Sequence, residues 1–78
     1  MQLAGANFSS ADLTGANLKW CRMQTASLRG ANLTSADLSE TDLTETNLEG
    51  ANLRGANLTQ ATMQRTVRRE GFMRVLQF

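Results

Sequence analysis

Residues Ala31–Leu58 read ANLTS ADLSE TDLTE TNLEG ANLRG ANL. A small residue, a short polar residue and a leucine recur every five positions. The same beat runs outward in both directions. The apolar centres are Leu3, Phe8, Leu13, Leu18, Met23, Leu28, Leu33, Leu38, Leu43, Leu48, Leu53, Leu58 and Met63, with no slip in register. Two residues before each centre sits Ala6, Ala11, Ala16, Cys21, Ala26, Ala31, Ala36, Thr41, Thr46, Ala51, Ala56 or Ala61, with the large Met1 at the start.

A period of five suits neither regular element. On an α-helix five residues advance the direction by about 500°, so the leucines would circle the cylinder. On a flat strand an odd step sends successive leucines to opposite faces. They all point one way only if each unit is a short extended segment followed by a turn. Turns repeated in one sense wind the chain into a solenoid, with the small residue and the leucine inside and three positions facing water. Gly5, Gly15, Gly30, Gly50 and Gly55 share the last slot of a unit, where a corner needs positive φ or close backbone approach. The chain has no proline, in keeping with stacked coils that use their backbone N–H groups.

Charge spacing indicates the number of units per coil. At a separation of 20 residues the pairs are Arg22/Asp42, Arg29/Glu49 and Glu45/Arg65, all of opposite sign. A separation of 25 gives two like pairs against one opposite pair, and 15 gives only Arg22/Asp37. Four units per coil and a square section follow. Stacking would align Asn7 with Asn47, Asn32 with Asn52, and Asn17 and Asn57 on either side of Asp37, as side-chain ladders along the stack.

The A(N/D)LXX pattern of ANLTS, ADLSE, ANLRG and ANLTQ over residues 1–65 resembles the pentapeptide-repeat proteins. The resemblance implies an all-β fold, a right-handed quadrilateral β-helix of about three coils of four pentapeptides. Inside would lie the leucines with Phe8, Met23 and Met63, lined by alanines, Cys21, Thr41 and Thr46. The two threonine hydroxyls must then find backbone partners or cost about a kcal/mol or more each.

Residues 66–78, TVRREGFMRVLQF, leave the pattern, with Arg68 where an inward leucine is due. Three arginines against one glutamate give this tail +2, whereas five basic against six acidic residues give residues 1–65 a charge of −1. Val67, Phe72, Met73, Val75, Leu76 and Phe78 gather apolar surface there. A C-terminal cap over the last coil is the leading reading, because solenoid ends expose core and strand edges. A self-association surface and a basic amphipathic contact are the other two, and Gly71 weakens the last. Met1 already occupies a repeat slot, so the first coil begins without a cap. A second copy covers it, or the chain is part of something longer.

Composition limits the chemistry. There are 78 residues, a net charge of +1, no histidine and one cysteine. A lone cysteine makes neither an internal disulfide nor a zinc site. No apolar run approaches the roughly 20 residues of a membrane-spanning helix and no leader is visible, so a cytoplasmic protein is expected. Asp12, Asp37, Glu40, Asp42, Glu45 and Glu49 fall in outward slots on a repetitive surface. General acid–base work needs positioned groups with shifted pKa values in a cleft, so they read as a solvated face. Cys21 reads as a packed core thiol between Met1 and Thr41. No phosphate-binding glycine motif, cofactor site or metal site is expected.

Lys19, Trp20 and Arg22 form the only uneven patch on the walls, a candidate protein contact. Trp20 lies at an outward corner one coil below Glu40, where it serves as a binding anchor or packs on the tail or the bare end. The basic residues Arg65, Arg68, Arg69 and Arg74 make a narrow cluster, so nucleic acid is disfavoured as a partner, as is a membrane. The functional expectation is a non-enzymatic structural or protein-interaction solenoid with an unidentified protein partner, or a homodimer through its coil ends. A second reading comes from the resemblance alone: some family members mimic duplex DNA and bind type II topoisomerases. Those need a long, strongly acidic rod, which −1 and three coils do not supply. A designed or trimmed solenoid without a biological task is the third.

Overall fold

A computed structural model describes residues 1–68, so Phe72, Met73, Val75, Leu76 and Phe78 lie outside the described residues. Four turns recur in every 20 residues, and parallel bridges join residues 20 apart, from Gln2↔Arg22 to Asn47↔Val67. The charge-derived period is therefore the structural one. Each side contributes one isolated bridged residue rather than a strand, because the turns leave only three residues between corners.

The backbone N–H groups explain the five-residue unit. The small first residue donates back three positions and closes the turn, as Ala31 does to the Leu28 carbonyl at 3.0 Å. The second donates to the coil before it (Asn32 to Ala11, 2.9 Å). The third and fifth donate to the coil after it (Leu33 to Asn52, 2.7 Å; Ser35 to Arg54, 2.8 Å). The fourth N–H points to neither coil and goes to the carboxyl or amide oxygen of its own second residue, as Thr34 does to Asn32 Oδ1 at 3.1 Å. Asn or Asp in the second slot thus satisfies the one donor that stacking leaves over.

That capture corrects the expected side-chain ladders. Asn17, Asp37 and Asn57 do align, through the bridges Asn17↔Asp37 and Asp37↔Asn57. Their Oδ1 atoms, however, accept from Lys19, Ser39 and Thr59 two residues onward, at 3.2, 3.0 and 3.0 Å. The nearby donor in the same turn is held at the right distance by the backbone, and the next coil offers nothing closer.

Every fifth residue from Gly5 to Arg65 has φ between 55° and 73°. A positive φ at the third position of a four-residue turn is the requirement of type II turns. Eight of these corners are not glycine, among them Trp20 at 64°. Crowding does not select the glycines: a Cβ added at Gly30 or Gly55 would come no nearer than 3.5 Å to a neighbouring atom. The dihedral alone does.

The core is sealed between Cys21 and Leu58. Met23 and the seven leucines from Leu28 to Leu58 are 0–1% exposed, whereas Leu3, Phe8, Leu13 and Met63 are only partly covered. Each buried leucine contributes about 1.5–3 kcal/mol. Thr41 and Thr46, both 0% exposed, donate their hydroxyls to the Leu18 and Met23 carbonyls at 2.8 and 2.6 Å. Thr66 repeats the arrangement to Leu43 at 2.6 Å, and Val67 both donates to Thr46 and accepts from Leu48 at 2.9 Å. The ladder therefore runs through Thr66 and Val67, where the side-chain pattern has already lapsed, because backbone bonding does not need the inward leucine.

Candidate functional site

The uneven patch lies on one corner and the wall after it. Asn17, Leu18, Lys19 and Trp20 end one side, and Cys21 and Arg22 open the next. Leu18 and Cys21 point inward, at 8% and 2% exposed, and anchor the segment from within. The turn is closed by the Cys21 N–H to the Leu18 carbonyl at 3.1 Å, and the Trp20 N–H donates to Ser39 at 3.1 Å. The backbone beneath the patch is therefore fixed on both sides.

Trp20 projects from that frame with 62% of its surface exposed. The Lys19 ammonium lies over its ring, 4.6 Å from the centroid. Such a contact on an exposed site is worth about 0.5–1 kcal/mol and steadies the indole against the wall. Positive φ on a bulky side chain opposes this by roughly 1–2 kcal/mol, since Cβ crowds the following carbonyl in the left-handed region.

The three stacked charge pairs divide two to one. Arg29 Nε meets Glu49 Oε1 at 3.3 Å and Arg65 Nε meets Glu45 Oε2 at 2.9 Å. Arg22 and Asp42 are bridged through their backbones but form no ion pair within 4.0 Å. Asp42 is already occupied: Oδ1 accepts the Thr44 hydroxyl and N–H at 2.6 and 3.0 Å, and Oδ2 accepts Gln24 Nε2 at 2.9 Å. Lys19 and Arg22 thus flank Trp20 without a carboxylate within 4.0 Å among the described residues. Gln24 was missed from sequence. Its signal was there, one side chain along the wall from the Arg22/Asp42 column.

The carboxylates are tied into their own turns. The Ser39 hydroxyl and then its N–H hold Asp37 below its ordinary pKa, and Thr14 and Thr44 do the same for Asp12 and Asp42. A shallow polar recess also exists at another corner, lined by Ser9, Ser10, Arg29, Gly30, Glu49 and Gly50. Its two charged members are paired to each other. Cys21 is a buried free thiol. Among the described residues no helix is long and apolar enough to cross a membrane.

The family model for pentapeptide repeats matches residues 2–30 and 26–65 in eight copies, and the chain belongs to that family. No curated protein matches. Among solved structures, a pentapeptide repeat protein of the Arabidopsis thaliana thylakoid lumen superposes with a TM-score of 0.83 at 31% identity, covering 87% of this chain and 49% of that one. A pentapeptide repeat protein of the cyanobacterium Cyanothece gives 0.55 at 35% identity, over 85% and 46% of the two chains. HetL of Nostoc, involved in heterocyst differentiation regulation, gives 0.55 at 28% identity, over 86% and 44%. The chain spans about half the length of these solved relatives. It shares their β-solenoid architecture, in general a structural, non-enzymatic repeat fold.

Proposed function

We propose that this chain is a non-enzymatic interaction solenoid, a right-handed four-sided β-helix of about three coils whose flat polar walls meet a protein partner or a second copy. The Lys19–Trp20–Arg22 corner is its protein contact, and the cytoplasm is its proposed setting. The observation that carries the reading is the contrast between this corner and the rest of the wall. Elsewhere the side chains of the second and fourth slots are largely spent on each other or on their own turn. Asp12, Asp37 and Asp42, held in their ionised form by hydrogen bonds, are poor acids and poor bases near neutral pH, which supports a role other than catalysis. The involvement of HetL in heterocyst differentiation regulation is in keeping with recognition by such a wall.

The test is a pull-down from source extract with two baits, the full chain and its Trp20→Gly variant. A protein held by the first and lost by the second supports the corner as contact. A protein held equally by both moves the contact to another wall. Recovery of the chain alone, with a dimer mass in sedimentation, favours pairing of copies, and recovery of nothing from a monomer removes the reading.

A further inference from the structure

We propose that the Lys19–Trp20–Arg22 corner takes an acidic protein segment: an apolar or aromatic side chain seated on Trp20 between two carboxylates. This deepens the interaction reading above and rests on it. Three observations converge. Trp20 is the one exposed aromatic among the described residues, and it sits at a dihedral that opposes its presence. Backbone strain of that kind persists where the surrounding structure over-determines it, and such residues cluster at binding sites. The Lys19 ammonium, 4.6 Å over the ring, holds the indole before any partner arrives, which reduces the ordering cost of binding.

Charge names the partner. Lys19 and Arg22 lack a carboxylate within 4.0 Å, because Gln24 and Thr44 have taken the oxygens of Asp42, and Ser39 holds Asp37. The two cations stand three residues apart, so their backbone positions are at most about 10 Å from each other. Carboxylates two or three residues apart on an extended peptide span that distance. The coil after this corner presents Asp37, Glu40 and Asp42, a row of negative charge directly beside the cations. A continuous phosphate backbone would be repelled by that row, whereas a short segment with a few carboxylates meets only the corner. This favours an acidic peptide over nucleic acid.

The experiment pans a displayed library of random decapeptides on the immobilised full chain. It then titrates an enriched peptide, synthesised, into the protein in solution. Trp20 is the sole tryptophan, so its fluorescence reports binding directly. The expected result is enrichment of peptides with an aromatic or large apolar residue flanked by Asp or Glu. Binding should weaken with added salt and fall roughly tenfold or more in a Lys19→Gln/Arg22→Gln variant. By calorimetry, Trp20→Gly should lose a similar factor. Both variants change exposed side chains, and glycine suits the corner dihedral, so circular dichroism should be unaltered. Enrichment of peptides without acidic residues, or equal binding by the cation variant, overturns this inference and leaves the interaction reading standing. Tighter quenching by oligothymidylate than by any peptide overturns it in favour of nucleic acid. No enrichment at all overturns both.

Discussion

The Thr41 hydroxyl donates to the Leu18 carbonyl, 2.8 Å away and one coil below, inside a core that excludes water. The same carbonyl already accepts the Cys21 N–H that closes its turn. Alanine fills this slot in most units, so the threonines add a bond that the repeat does not require. Thr41→Val keeps the volume but turns a methyl group toward the carbonyl oxygen. It should cost about 1–2 kcal/mol in urea unfolding, more than Thr41→Ala. A valine variant more stable than the alanine variant would show that the hydroxyl bond contributes nothing.

Leu33 and Thr34 are neighbours with opposite fates. Leu33 is 0% exposed, whereas the Thr34 hydroxyl lies on the outer wall, bonded to Asn32. Leu33→Asn buries an unpaired amide and should lower stability by about 3 kcal/mol or more, enough to erase a cooperative melt in a domain this small. Thr34→Asn should change the midpoint little. Similar melting curves for the two would reverse the inside–outside assignment.

Acid should weaken the fold through the turn aspartates. Asp37 titrates below its ordinary value because Ser39 bonds its ionised form, so the unfolded chain takes up the proton first. The stability this contributes is fully present above the unfolded pKa, and it is lost below about pH 4, as pH drops through the folded value. Asp37→Asn keeps the same acceptor, as Asn17 and Asn57 do in the same column. It should leave the neutral-pH melt nearly unchanged and flatten the acid slope. An unchanged slope would separate the turn bond from the acid sensitivity.

Trp20→Gly should raise unfolding stability by up to about 1 kcal/mol, since relief of the left-handed strain outweighs the lost cation contact. A clear fall in the melting midpoint would mean that the indole holds the fold together.

Proline offers a finer test. The Thr62 N–H donates to Thr41 at 2.9 Å, whereas the Gln64 N–H makes no bond among the described residues and precedes the left-handed corner. The second position of a type II turn favours proline. Gln64→Pro should be neutral or stabilise by about 0.4–1 kcal/mol, and Thr62→Pro should destabilise by about 1–3 kcal/mol. Equal losses by thermal melting would overturn the N–H accounting.

The core was legible because inward leucines at a fixed step leave no other arrangement, and Leu28 to Leu58 are buried as that step requires. The coil length was legible in Arg29/Glu49 and Arg65/Glu45, where nothing competes for the carboxylates. It misled at Arg22/Asp42, because separation along the chain does not register that Gln24 and Thr44 reach Asp42 first. The asparagine ladders failed for the same reason: a donor two residues away outcompetes one in the next coil. Positive φ was readable at Gly5 or Gly30, but not at Trp20 or Glu40, where the stacked backbone dictates the corner whatever side chain it carries. The candidate contact was visible as unevenness. That its two cations lack partners was not.

Almost every backbone bond between coils joins residues 19 or 21 apart. Folding must therefore close one loop of about 20 residues before any such bond can form, an entropic step taken once. After that, each further five residues find a finished coil to lie on and gain their bonds at once. The chain grows as a crystal face does, by slow nucleation and then quick accretion, and its ends are the last to settle and the first to fray.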